Sequence, residues 1–295
     1  MKPIIFSLPG NDETANKIAD KLSAEIGSLQ IRRFPDLESY VRYETAVEGR
    51  KVFLVCTLDR PDDKFLPLLF AAAAARDLGA AEVGLVAPYL AYMRQDRRFQ
   101  SGEAVTSKYF ANTLSPWIDW LVTIDPHLHR VTSLSEIYSV RSAVAHAAPA
   151  VSAWIKETIP NPVLVGPDSE SEQWVSAVAK NAGAPFMVLK KTRRGDRDVE
   201  VSVPDVENWR NHTPVLVDDI ISTARTMIET IGNLTTAGLA PPVCVGVHAV
   251  FADDAYSELQ RAGAGRIVTT NTITHESNDI DVAPLLAEGV QYVFG

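Results

Sequence analysis

The chain has 295 residues, about twice a typical domain, with 46% hydrophobic and 22% charged side chains, an ordinary globular balance that excludes a disordered or fibrous protein. Its net charge of −9 excludes a general nucleic-acid or anionic-membrane surface, so any polyanionic ligand must meet basic residues gathered locally. Cys56 and Cys244 both lie in apolar strand-like runs; they exclude a disulfide framework and a cysteine metal site, and read as reduced thiols of a cytoplasmic protein. Met1-Lys2-Pro3 carries no signal-peptide pattern, and the longest apolar run, 65–75, is too short to span a bilayer.

The first predicted strand is 3–8. Asn11 or Asp12 starts a helix running to about residue 26, with Ala15, Ile18, Ala19 and Leu22 on one face. A strand at 29–34 leads into Phe34-Pro-Asp-Leu-Glu38, a turn with an aromatic ring and two carboxylates. A buried strand at 51–57 is followed by Asp62 and Asp63, a helix at 65–78 ended by Gly79, and a strand at 82–87. The polar stretch 88–103 has no apolar period and reads as a long, functional loop. Within it Arg94, Arg97 and Arg98 surround Gln95 and Asp96 just past a strand's carboxyl end, where α/β sheets bind ligands and guanidinium groups suit phosphate. A helix at 106–114 and a strand at 120–124 precede Asp125-Pro-His127-Leu-His129, a loop able to hold a divalent ion, although Mg2+ prefers oxygen ligands.

The second half repeats the theme. A helix near 143–158 leads to a strand at 163–165 and the turn Gly166-Pro-Asp168. A helix at 170–182, a strand at 186–189, the basic cluster 190–196 and a strand at 199–203 follow. The last elements are a strand at 214–217, a helix at 226–237, a strand at 243–250, a helix at 254–262 and a strand at 266–269. Residues 52–87 and 215–250 share one succession: strand, acidic loop, helix, glycine in the linker, strand. That is a structural duplication, two related α/β domains with mainly parallel sheets and helices on both faces. The boundary falls near 139–148, giving domains 1–142 and 143–295, the first open to completion by the C-terminal segment.

The most specific stretch is 213–226. A continuous apolar run, Val215 to Val217, predicts a strand buried on both faces, with Asp218 and Asp219 where it should end. Ser222, Thr223 and Thr226 follow in a hydroxyl-rich turn, and Met227, Ile228, Ile231 and Leu234 then give a helical period. Unpaired N–H groups at that helix N-terminus suit a phosphate, and the carboxylates suit vicinal ribose hydroxyls. The alternative is a plain helix cap beside a solvated acidic turn.

This stretch resembles the phosphoribosyl diphosphate (PRPP) binding motif of type I phosphoribosyltransferases and ribose-phosphate pyrophosphokinases, with Arg225 where glycine is usual. Along nearly the whole chain, and in the same order, further motifs resemble the ribose-phosphate pyrophosphokinases. Phe34, Asp36 and Glu38 match the adenine-binding loop, with Leu37 in place of glycine; Arg94, Gln95, Asp96 and Arg97 match the ATP-binding loop, and 100–107 the flexible loop beyond it. His127 and Asp168 match magnesium-associated positions, and Lys191 and Arg193 the catalytic pair, with Lys190 where an acidic residue is common. Residues 270–273 and 280–286 also fit. The resemblance implies two type I phosphoribosyltransferase-like domains that move a diphosphoryl group from ATP to ribose 5-phosphate with Mg2+. It implies that Ser222, Thr223, Ala224, Arg225 and Thr226 hold the 5-phosphate and that Asp218 and Asp219 hold the ribose. It also implies a homo-oligomer, dimer to hexamer, in which Phe34, Asp36 and Glu38 reach a neighbour's site, with no nucleic-acid or membrane partner. A phosphoribosyltransferase that consumes PRPP and a non-catalytic homologue are the alternative readings.

Overall fold

Valine- and leucine-rich stretches five to seven residues long, bounded by turns and buried on both faces, build two parallel sheets in the computed structural model of the protein. It describes residues 2–128, 131–167, 171–193, 199–202 and 204–294; at 173, 190–193 and 199–202 the description is of the backbone alone. The chain forms two units, Met1–His146 with Val282–Gly295, and Ala147–Asp281.

The first unit contains β1 (Ile4–Ser7), α1 (Asp12–Leu22), β2 (Glu25–Ile26), β3 (Leu29–Arg33), β4 (Ser39–Tyr43), β5 (Lys51–Val55), α2 (Pro61–Asp77), β6 (Glu82–Ala87), α3 (Thr106–Leu114), β7 (Trp120–Ile124) and β8 (Arg141–Ala145). Its sheet runs β2-β1-β5-β6-β7-β8, all neighbours parallel, while β3 and β4 form a separate antiparallel hairpin. The predicted helix to residue 26 stops at Leu22: Ser23 turns left-handed at φ 50° and its N–H bonds back to the Ala19 and Asp20 carbonyls. That frees Glu25 and Ile26 to pair with Ile4 and Ile5. Likewise 143–145, read as the start of a helix, belongs to β8, because pairing with β7 outweighs the helix preference of alanine. The glycine at 84 is forced by packing. It sits opposite Trp120, and a Cβ there would lie 2.0 Å from the indole, itself buried edge-on against Phe53 at 4.8 Å.

The second unit contains α4 (Ala148–Thr158), β9 (Pro162–Gly166), α5 (Glu172–Ala182), β10 (Phe186–Val188), β11 (Lys190–Arg193), β12 (Val199–Ser202), β13 (Thr213–Ile221), α6 (Arg225–Thr236), β14 (Val243–Ala249), α7 (Ala255–Arg261), β15 (Arg266–Thr270) and β16 (Asn278–Ile280). Its parallel sheet runs β10-β9-β13-β14-β15-β16, and β11 and β12 form its own antiparallel hairpin. Position for position this repeats the first sheet, hairpin included. Residues 282–295, numbered with the second domain in the sequence but left open there to completing the first, belong to the first unit. There α8 (Ala283–Phe294) packs on α1, β7 and β8, burying Leu286, Ala287, Val290 and Val293, and Arg141 donates to the Val293 carbonyl at 2.8 Å.

Candidate functional site

Both units gather their chemistry at the carboxyl ends of parallel strands, where α/β sheets bind ligands. In the second unit β13 is longer than its apolar run. Ile220 and Ile221 continue the ladder opposite His248 and Ala249, so Asp218 and Asp219 lie inside the strand's last turn of pleat instead of beyond its end. Burial, then the adjacent Asp219 carboxylate, push Asp218 up to about 7. Such a pair gains from a hydrogen-bond donor or a cation placed against it.

After β13, Ala224 takes the left-handed conformation at φ 56° and Arg225 opens α6. The positive φ that the motif's glycine allows thus falls at Ala224, not at Arg225. Neither Ser222 nor Thr223 caps the helix: its cap is Ala224, which offers no side-chain bond. Among the described residues no hydrogen bond engages the hydroxyls of Ser222, Thr223 or Thr226. Three hydroxyls and the first N–H groups of a 12-residue helix therefore stand together in one loop. Arg225 departs from the group; it lines a groove between α6 and α7 with Ile228, Glu229, Glu258, Arg261 and Ala262.

In the first unit the loop after β6 borders a half-open cavity of about 590 Å³ lined by Tyr89, Tyr92, Arg94, Gln95, Arg97, Phe99, Glu103 and Ala104. Three of the four residues of the expected ATP-binding loop thus share one cavity; Asp96 belongs to the same loop but does not line it. Tyr92 fixes one wall. Its hydroxyl donates to the Asp62 carboxylate and its ring packs 5.0 Å from Phe110; burial and the Asp62 bond push the phenol up to about 12. Arg97 lies 4.8 Å over the Phe99 ring, and the Glu103 carboxylate accepts the Phe99 and Gln100 N–H groups at 2.7 and 2.9 Å, folding the loop on itself. Arg94 has no carboxylate partner among the described residues. Thr106, at the start of α3, donates to Gln95 Oε1 at 2.6 Å, a contact the sequence reading missed because nothing in the motif ties the loop to the next helix.

The β3–β4 turn carries Phe34, Asp36 and Glu38 away from this cavity's lining. Arg32 lies over both Phe34 and Tyr40, at 4.6 and 4.1 Å, which holds the Phe34 ring at the hairpin end. Leu37 is 67% exposed. Lys191 and Arg193 lie on β11, opposite Val201 and Val199, and not in a turn. That hairpin holds the same place in its unit as β3–β4 in the first.

His127 follows β7, the neighbour of β6, so its loop shares the cavity's edge of the sheet. Its N–H bonds to the Asp125 carbonyl at 2.8 Å, while the Asp125 carboxylate takes His146 Nδ1 at 2.8 Å and raises that imidazole's pKa. His146 carried no role in the sequence reading; only the parallel pairing of β7 with β8 brings it there. Asp168 and His129 lie outside the described residues. Among the described residues no group of three or more His, Cys, Asp or Glu side chains could hold a metal ion. Cys56 and Cys244 are buried and unbridged, and burial raises both thiols to about 12. No helix among the described residues is long and apolar enough to cross a membrane.

Residues 3–116 match the family model of the N-terminal domain of ribose phosphate pyrophosphokinase, and 133–284 that of the phosphoribosyl transferase domain. A Methanothermobacter thermautotrophicus protein named ribose-phosphate pyrophosphokinase is 32% identical over 97% of this chain and 99% of its own length. The chain belongs to the ribose-phosphate pyrophosphokinase family. A ribose-phosphate pyrophosphokinase of Saccharolobus solfataricus is also 32% identical, over 92% of each chain. Among solved structures, the phosphoribosylpyrophosphate synthetase of Mycobacterium smegmatis shares the fold, with a TM-score of 0.85 and 24% identity over 100% of this chain and 99% of its own. Two type I phosphoribosyltransferase-like α/β units, the fold expected from the sequence, are the fold of this ribose-phosphate pyrophosphokinase family member.

Proposed function

We propose that the protein transfers the β,γ-diphosphoryl group of ATP to the 1-hydroxyl of ribose 5-phosphate, giving PRPP and AMP. The observation that carries this reading is the β13–α6 loop. Hydroxyls at Ser222, Thr223 and Thr226, unengaged among the described residues, adjoin a helix N-terminus, directly after the Asp218–Asp219 pair. This set fits a phosphate at one end and vicinal sugar hydroxyls at the other. With its side chain on the α6–α7 groove, Arg225 is the weakest member of the set; Ala224 acts there through its backbone.

ATP occupies the first unit's cavity, with Arg94 and Arg97 on its phosphates and Gln95 hydrogen-bonded to it. Asp96 belongs to the same ATP-binding loop. Phe34, Asp36 and Glu38 act on the adenine of a neighbouring copy, since they do not line the cavity of their own chain. That requires a homo-oligomer of at least two chains. The sugar hydroxyl's oxygen bonds to the β-phosphorus as the bridge to the α-phosphate breaks, its proton passes to water, and charge gathers on the departing AMP oxygen. Positioning and charge neutralisation dominate such a step. Lys191 and Arg193 supply the positive charge. His127 and Asp168 would hold Mg2+, which screens the phosphate charge when bound.

Release of AMP from ATP only when ribose 5-phosphate and Mg2+ are present tests the reading. A phosphoribosyltransferase would consume PRPP and release no AMP; a non-catalytic homologue would bind nucleotide without turnover.

A further inference from the structure

We infer that Thr106 is a positioning residue for the nucleotide, acting through the side-chain amide of Gln95. The inference rests on reading the 590 Å³ cavity as the ATP site.

Gln95 lines that cavity on an exposed loop, where a glutamine side chain would ordinarily sample several rotamers. Two contacts to the start of α3 restrain the residue, one its backbone and one its side chain. The Ser107 N–H reaches the Gln95 backbone carbonyl at 3.4 Å, and the Thr106 hydroxyl donates to Oε1 at 2.6 Å. Electrostatics set which end of the amide faces the helix. Thr106 is the first residue of α3, so the unpaired N–H groups and positive dipole end favour the carbonyl oxygen there and disfavour the NH2 group. With Oε1 so held, Nε2 faces the cavity as a hydrogen-bond donor. Thr106 does not line the cavity, so it acts by orienting a group that does. The same geometry makes the site selective for a nucleotide that offers an acceptor at this point, a ring nitrogen or a phosphate oxygen.

Thr106→Val keeps the branched shape and removes the hydroxyl. It should raise KM for ATP about tenfold, as loss of one orienting hydrogen bond does, with kcat lowered less than about threefold and KM for ribose 5-phosphate unchanged. Thr106→Ser should restore KM for ATP to within about twofold of the parent. Gln95→Glu keeps an oxygen for Thr106 but replaces the donor, and should weaken ATP binding more than Thr106→Val does. Calorimetric titration with a non-hydrolysable ATP analogue reads the same order without turnover. An unchanged KM in Thr106→Val, beside a raised KM in Gln95→Ala, overturns the role of Thr106. Normal ATP binding by Gln95→Glu overturns the donor assignment. If Gln95→Ala and Arg94→Ala both bind the analogue normally, the cavity is not the nucleotide site, and the inference falls with that reading.

Discussion

Leu37 N–H donates to the Phe34 carbonyl at 2.9 Å, and the turn so closed holds Leu37 at φ 72°. A left-handed leucine carries a steric cost of about 1–2 kcal/mol, and its side chain is 67% exposed, so it recovers little by packing within the chain. Glycine removes the clash but adds unfolded-state entropy, leaving a net gain of about 0.5 kcal/mol for Leu37→Gly. Thermal unfolding should show a melting temperature higher by about 1–2 °C. A lower one would mean that Leu37 packs against another copy of the chain.

The raised pKa of Asp218 has a definite sign. An unfolded aspartate titrates near ~4, whereas burial and Asp219 hold the folded carboxyl up to about 7. The protonated carboxyl's contribution is therefore full below the unfolded value, declines as pH rises between the two values and is gone above about 7. Ligand-free Asp218→Asn should match the parent near ~pH 4 and exceed it by about 1–2 kcal/mol at ~pH 8, allowing for solvent screening. Urea unfolding at both values checks this, and equal stability at the higher pH would contradict it. Turnover should fall in the same variant if the carboxylate holds the sugar.

Lys191→Ala should lower kcat about a hundredfold, roughly 3 kcal/mol of lost charge stabilisation. Affinity for ATP should change less than about threefold, because the lysine serves the transferring group and not the ground state. Steady-state kinetics with both substrates varied separates the two effects. Near-normal turnover would remove Lys191 from the mechanism.

Gly84→Ala should destabilise the first unit by about 3 kcal/mol, at the upper end for overpacking, since a rigid buried indole blocks the new methyl. The Trp120 ring would stand 2.0 Å away and is wedged against Phe53. Denaturant titration gives the loss directly. A change below about 0.5 kcal/mol would show that the ring has somewhere to move.

The sheets were legible because Val and Leu cluster in strands covered on both faces, as in 82–87 and 243–249. Elements whose identity depends on a partner were harder to read. Arg141–Ala145 is strand only because β7 lies beside it, and Ser39–Tyr43 only because β3 does. The end of β13 was placed early because two carboxylates interrupt the apolar run, although Ile220 and Ile221 resume the pairing beyond them. The hydroxyl loop was legible from residue type and order, but that its hydroxyls are unengaged among the described residues could not be read. Contacts such as Thr106 with Gln95, or His146 with Asp125, join separate segments and left no local signature.

The chain leaves the first unit at His146 and re-enters it at Val282. During synthesis the first sheet must therefore wait for α8, whose buried Leu286, Val290 and Val293 emerge from the ribosome after the whole of the second unit. The second unit, made of one uninterrupted stretch, can finish before it. A premature stop near residue 281 would spare that later-made half and leave the N-terminal half unroofed, so truncation from the far end injures the part of the protein made first.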